Sequence, residues 1–375
     1  MAGDKLFFLK DSDFARGTRI ILRLDLNVLC EDGSVSNDFR IKRALPTLDF
    51  LSKRGCRTLI ISHLDDESGT TLEPVARYLE KTHQVSFAPS LSLAESMVND
   101  IPEGGFLLVE NIRREKGEVE NDEVLSRRLA GLGEYYVNDA FGVSHREHAS
   151  VVGVPKLLPS FAGFLLEEEI RELTPALQVG THALFVLGGA KFETKLPLLL
   201  KFLDRYERVF VGGALANDIF HAMGLEVGTS LVSTIAPDLT TMVNNPKLRV
   251  PLDVLIERDG KTHTEPPEAL SVSDRIVDAG LKTVMLLEEF VAQSDFVLWN
   301  GPLGVYQEGF TVATEQFAKT VSRSRAKSII GGGDTIAAVE RIGKLDEFDF
   351  VSTGGGAMLE YLSKETLPGI EALKR

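Results

Sequence analysis

The sequence predicts an α/β protein built as two doubly wound parallel-sheet domains joined by a hinge helix. Three observations predict it. Short apolar, β-rich runs alternate with stretches of helical periodicity, which implies crossover connections and a parallel sheet covered on both faces. The alternation pauses over residues 155–180 and then restarts. A length of 375 residues suits two domains of ordinary size better than one.

In the first half the strand-like runs are RIILRL (19–24), RTLIIS (57–62), GFLLVE (105–110) and YYVND (135–139). RIKRALPTLDFLSKRG (40–55) reads as a helix ending on Gly55, because glycine accepts the left-handed backbone that follows a last turn. TLEPVARYLEKT (71–82) and EVLSRRLAGLG (123–133) carry apolar residues at helical spacing. PKLLPSFAGFLLEEEIRELTPALQ (155–178) reads as one amphipathic stretch with no strand inside it. Strand-like runs then resume with HALFVLGG (182–189), RVFVGG (208–213), FVLWNGP (296–302), KSIIGGGD (327–334) and FVSTGGG (350–356). The reading is a first domain at 1–160, a connecting helix at 161–180, a second domain at 181–356 and a tail at 357–375.

Composition excludes several classes. Lys and Arg total 41 against 55 Asp and Glu, so the net charge of −14 leaves no global basic face for nucleic acid. Anionic ligands would need locally concentrated cations. The two cysteines, Cys30 and Cys56, have neither metal-site nor disulfide spacing and read as small buried hydrophobes. The N-terminal residues lack the long apolar run of a signal peptide, and no run of about 18 apolar residues suggests a membrane span. A cytoplasmic location is the default expectation.

Four strands of the second half end in glycine: GGAK (188–191), GG (212–213), GGGD (331–334) and TGGG (353–356). Ligands of open α/β sheets bind at the carboxyl ends of strands, where glycine admits close approach and helix-start N–H groups face phosphates. Neither GxGxxG nor GxxxxGK[ST] is present, which excludes an ordinary dinucleotide fold and a P-loop. Asp334 and Thr335 after three glycines suit a Mg²⁺–phosphate site, or equally serve as helix caps. Lys191 and Lys195 share one helix face beside glycines and would draw phosphates, or else are solvated lysines. Arg23, Arg40, Arg113 and Arg146 flank polar residues near strand ends (Asp25 and Asn27, Asp38, Asn111, His145). Each fits anion binding, or an ordinary surface ion pair. His63 ends a strand as a substrate donor or a satisfied structural histidine. His145 and His148 have no obvious third ligand for a metal.

These residues spell motifs of a known family. RLDLNV (23–28), DFRIKRALPT (38–47), SHL (62–64), LLVENIR (107–113), YVNDAFGVSHREHAS (136–150) and LLPSFAGFLLEEE (157–169) resemble the N-terminal domain of phosphoglycerate kinases. GGAKFETK (188–195), VGGALAN (211–217), LWNGPLGVY (298–306), GGGDT (331–335) and STGGGAMLEYL (352–362) resemble their C-terminal domain. The motifs run in order and cover nearly the whole chain. The resemblance implies a C-terminal tail packing back on the N-domain, and a monomer. It implies 3-phosphoglycerate or 1,3-bisphosphoglycerate bound by the first domain and Mg²⁺ with ADP or ATP bound by the second. Asp25, Asn27, Arg40, His63, Arg113 and Arg146 match substrate-binding positions. Lys191 and Lys195 match lysines on the nucleotide phosphates and the transferred group. Gly189, Gly213, Asn300, Gln307, Gly331, Gly332, Gly333, Asp334 and Thr335 match nucleotide-binding positions, with Asp334 the metal carboxylate. Gly354, Gly355 and Gly356 match the helix start facing the transferred phosphoryl. Arg40 and Lys191 would then meet across the transferring group, and domain closure would gate catalysis.

The chain departs from the family at two places. SHL is usually followed by Gly-Arg-Pro, whose arginine holds the substrate phosphate; here Asp66 takes that place, flanked by Asp65 and Glu67. A lost charge-assisted hydrogen bond costs about 1.5–3 kcal/mol, roughly ten- to over a hundredfold in affinity. Arg114, where an aromatic is usual, is positioned in sequence to compensate. Gln307 stands where a glutamate usually accepts bonds from the ribose, with Glu308 as a neighbouring substitute. Three readings follow: a phosphoglycerate kinase with weakened substrate binding, a relative acting on another phosphorylated carboxylate, and a nucleotide-binding protein without turnover.

Overall fold

The computed structural model describes residues 5–28, 30–65, 70–190, 192–233 and 239–375; Asp66, Glu67 and Lys191 lie outside the described residues. The chain divides into two compact units, Met1–Arg171 with Thr366–Arg375, and Glu172–Glu365. Beside a short antiparallel pair, Cys30–Glu31 with Ser34–Val35, the first has a main sheet of six strands: β1 (Arg19–Leu24), β2 (Arg57–Ile61), β3 (Val85–Ala88), β4 (Phe106–Val109), β5 (Tyr135–Asp139) and β6 (Ser160–Ala162). Their spatial order is β3-β4-β2-β1-β5-β6, and every pairing is parallel. Strands so covered read as continuous apolar runs: Ile20, Leu22 and Leu24 of β1 pack with Ile60, Leu108 and Val137. β1 lies between β2 and β5, which opens a crevice beyond its carboxyl end.

The helix Phe39–Lys53 leads into this sheet and closes as its sequence suggests. Gly55 takes φ +70°, its N–H donates to Ser52 O at 2.9 Å, and Cys56 N–H donates to Leu51 O at 3.0 Å. That paired pattern is a Schellman stop, which the left-handed glycine makes possible. The segment 155–178 differs from its reading as strand-free. It contains β6, bounded by Pro159 and Gly163, and its helix is the shorter Phe164–Leu173. Three residues give too little alternation to register as a strand.

The second unit repeats the scheme. β7 (Ala183–Leu187), β8 (Arg208–Val211), β9 (Leu248–Arg249), β13 (Phe296–Asn300), β14 (Lys327–Gly331) and β15 (Phe350–Val351) form a parallel sheet in the order β9-β8-β7-β13-β14-β15. Val186, Trp299 and Phe317 are buried in its core. A second, antiparallel sheet of β10 (Val254–Arg258), β11 (Lys261–Glu265) and β12 (Arg275–Ala279) runs in the order β11-β10-β12.

Gly355–Lys364 is a helix of the second unit, whereas Thr366–Arg375 groups with the first. There Gly369 N–H donates to Ser144 O at 2.8 Å, and Lys5 N–H donates to Arg375 O at 2.9 Å. Cys56 is buried, which pushes its thiol up to about 11, but Cys30 is only half-buried; neither is in a disulfide. Among the described residues no helix is long and apolar enough to cross a membrane.

Candidate active site

The segments that follow β2, β4 and β5 deliver polar residues to one concavity of about 480 Å³ in the first unit, whose lining includes Asp65, Asn111, Arg113, Arg114, Arg146 and His148. Arg40, on the first turn of its helix, donates to Asn27 O at 2.7 Å and lies 3.5 Å from Asp25 Oδ1. Asp25 is nearly buried and also accepts from Asn27 N–H at 3.3 Å. Asn27 Nδ2 donates to Asp65 Oδ2, and Arg113 Nη1 donates to Asp65 Oδ1. Asp25, Asn27, Arg40 and Arg113 are thus linked through short contacts centred on Asn27 and Asp65, with buried His63 behind them, and Arg113 and Arg146 are the arginines of this set that line the concavity. Arg114 reaches the same concavity, where it pairs with Glu110 at 3.2 Å and donates to Thr70 O at 2.5 Å.

Beneath this surface lies a charge that the sequence did not place. Arg23 is fully buried. Its Nε donates to Ser150 Oγ at 2.9 Å, and Ser150 Oγ donates to Glu118 Oε1 at 2.6 Å. Glu118 accepts a further bond from Ser150 N–H at 2.9 Å. Burial lowers the Arg23 pKa and raises that of Glu118, while each partner's charge opposes the other's shift. Arg23 Nη2 lies 3.4 Å from His63 Nδ1. A guanidinium can only donate, so that contact assigns Nδ1 as acceptor and leaves the proton on Nε2, 4.0 Å from Asp65 Oδ1. Burial foremost, then Arg23, Arg113 and Arg40, holds His63 well below the usual histidine range, so the ring is neutral. His148 is pushed down to about 4 by burial and then by Arg113, Arg23 and Arg146. A neutral donor and several fixed cations make a site for an anion, not for a metal.

In the second unit a concavity of about 450 Å³ is lined by Gly189, Gly213, Tyr306, Gln307 and Asp334 among others. The glycine turns shape it. Gly213 takes φ +58°, and a Cβ there would lie 2.7 Å from Gly189 N. A Cβ on Gly355 would lie 2.9 Å from Gly332 Cα, so the loops after β14 and β15 touch backbone to backbone. Gly333–Arg341 and Gly355–Lys364 are helices that begin on these turns, with Gly331 ending β14 and Gly356 in the first turn of the second helix. Lys195 Nζ donates to Gly188 O at 2.9 Å, at the carboxyl end of β7.

Asn300 and Thr335, expected as nucleotide contacts, are buried at 4% and 0% exposure. Thr335 Oγ1 accepts from Gly301 N–H at 2.8 Å and so shapes the loop after β13. Gln307 Nε2 donates to Asp334 Oδ1 at 3.3 Å, and Glu308 is held by Arg275 at 2.7 Å. Among the described residues no three His, Cys, Asp or Glu side chains gather as a metal cage. A lone carboxylate at the cleft edge fits Mg²⁺, which keeps waters and takes its other ligands from phosphates.

The model of the family described as phosphoglycerate kinase matches residues 9–365. The phosphoglycerate kinase of Thermus thermophilus is 40% identical, with 96% of this chain and 97% of that one covered. That of Rubrobacter xylanophilus is 38% identical, covering 96% of each. Among solved structures, phosphoglycerate kinase from Coxiella burnetii matches with a TM-score of 0.83 at 34% identity, over 98% of this chain and 99% of that one. The enzyme from Pyrococcus horikoshii matches with a TM-score of 0.85 at 28% identity, over 98% of both chains.

Proposed function

The chain belongs to the phosphoglycerate kinase family, and from that premise we propose that its two units divide the reactants between them. The reaction is the reversible glycolytic transfer of a phosphoryl group between 1,3-bisphosphoglycerate and ADP, with a carboxyl group as acceptor in the reverse direction. The proposal assigns the phosphoglycerate to the concavity of Arg113 and Arg146, and the nucleotide to that of Gly189, Gly213 and Asp334. The observation that carries it is the neutral, proton-bearing His63 edge set among Arg23, Arg40 and Arg113.

In the direction of ATP use, a carboxylate oxygen of 3-phosphoglycerate attacks the γ-phosphorus, and the bond from that phosphorus to the β-bridging oxygen breaks. The nucleophile is already ionised, so no protein base is required and catalysis rests on positioning and charge. Arg113 and Arg146 would hold the substrate phosphate, and His63 and Asn27 would orient the glycerate. Arg40, steadied by Asp25 and the Asn27 carbonyl, would face the acyl oxygen. Lys191, Lys195 and the helix starts at Gly333 and Gly355 would meet the nucleotide phosphates and the transferred group. Mg²⁺ held by Asp334 and by the phosphates themselves would neutralise charge on the β- and γ-oxygens. Thr335 would act through the Gly301 loop. Bending at the 161–180 segment would bring the reactants together and exclude water. We place the enzyme in the cytoplasm as a monomer, which sedimentation equilibrium checks.

The test is a coupled assay with ATP, Mg²⁺ and 3-phosphoglycerate over a wide substrate range. Saturable turnover supports the assignment. No turnover with Mg-ADP still bound overturns it and leaves a different phosphorylated acid or a binding role.

A further inference from the structure

The concavity read as the phosphoglycerate site holds an anion of its own. The carboxylate of Asp65 sits on its lining, with Oδ1 on the Arg113 guanidinium and Oδ2 on the Asn27 amide. Asp65 N–H donates back to Asn27 Oδ1 at 3.3 Å, so backbone and side chain both dock on one residue. His63 Nε2 lies 4.0 Å from Oδ1. Three groups that would bind an anionic substrate thus face one carboxylate of the chain itself. Both carboxylate oxygens have partners, as a bound acid's would.

Yet this carboxylate is not a buried structural strut. The Asp65 side chain is 65% exposed, while that of Arg113 is 24% exposed. Ion pairs with such exposure hold weakly, by up to about 1 kcal/mol. The Asp65 carboxylate can therefore leave, while its less exposed cationic partner remains part of the concavity lining.

We propose that Asp65 is a resident pseudo-ligand of this site: its carboxylate occupies the anion-binding groups Arg113 and Asn27, and a phosphorylated carboxylate binds only by displacing it. The inference rests on the reading of this concavity as the substrate site. Asp65 then sets specificity by competition, since a dianionic phosphate displaces it more readily than a monoanion does. Apparent affinity is the intrinsic affinity scaled by the fraction of molecules with the carboxylate undocked. A docking free energy of about 1 kcal/mol corresponds to roughly a fivefold loss. Repulsion between the displaced carboxylate and the incoming anion adds to this.

The experiment is calorimetric titration of the full chain and of Asp65→Ala and Asp65→Asn, at low ionic strength, with two probes: 3-phosphoglycerate and inorganic phosphate. Mg-ADP titration reports that the second unit is intact. The expected result is a Kd for inorganic phosphate lower by roughly three- to tenfold in both variants, with Mg-ADP affinity unchanged. Tighter 3-phosphoglycerate binding in the variants supports both the pseudo-ligand and the substrate reading. Tighter phosphate binding with no 3-phosphoglycerate binding in any protein keeps the pseudo-ligand and removes the substrate reading. Phosphate affinity that is unchanged or weaker in the variants overturns the inference, whatever 3-phosphoglycerate does.

Discussion

Replacing Arg23 with methionine removes the strongest countercharge acting on buried Glu118, ahead of Arg113, and its cost can be worked out in advance. Arg23 is fully buried and reaches Glu118 through Ser150 Oγ, at 2.9 Å and 2.6 Å. Breaking such a pair from one side strands a charge and costs about 3–5 kcal/mol. For a unit of this size that lowers the melting temperature on the order of 10 °C. The double variant Arg23→Met/Glu118→Gln removes both charges and should recover about 2 kcal/mol of that loss. The pH sign follows. Burial raises the Glu118 pKa and Arg23 is the main influence lowering it, so without Arg23 the folded-state value rises further. A carboxyl raised above its unfolded value favours the fold at low pH and loses that contribution as pH rises through the folded value. The single variant is therefore least penalised in acid. Far-UV circular dichroism with denaturant measures the loss. The sole tryptophan, Trp299, reports on the second unit and should keep its wild-type transition. A single variant within 1 kcal/mol of wild type, or a double variant no better than the single, refutes the reasoning.

Thr335→Val should leave Gly301 N–H without its acceptor, at a cost of about 1–3 kcal/mol, and weaken Mg-ADP binding without changing phosphate binding; chemical denaturation and titration check the two effects. His148, held down to about 4, contributes stability that is present above its unfolded value near 6.5 and lost as pH falls through about 4. In His148→Gln the fall in melting temperature between those limits should be shallower than in wild type, and equal slopes would sink that account.

What the sequence disclosed follows from where the determinants lie. The parallel strands are buried on both faces, so they stand out as apolar runs, and Gly55 announced its helix stop because only a left-handed residue fits there. β6 escaped because three residues carry no period. The antiparallel sheet of β10, β11 and β12 escaped too, although Asp259 and Gly260 form the turn between β10 and β11 with φ of +51° and +71°. Asp-Gly is a hairpin signal that could have found it. The polar residues that gather at the first unit's concavity were legible because they follow strand ends in order. Their electrostatic support was not. Glu118 lies in an acidic run, GEVENDE, that reads as a solvated face, and Ser150 has no local signature; only the packing of distant segments joins them to Arg23. Arg23 itself was read beside polar neighbours at a strand end, whereas it is interior and takes its meaning from a serine 127 positions away. Asp65 shows the same limit from the other side. In the sequence it is one acid among three, beside the position where the family's phosphate-holding arginine is usual. Its contacts make it a partner of Arg113 and Asn27, the groups proposed to hold the substrate, and a weak, exposed pair of this kind would tune affinity without abolishing the site.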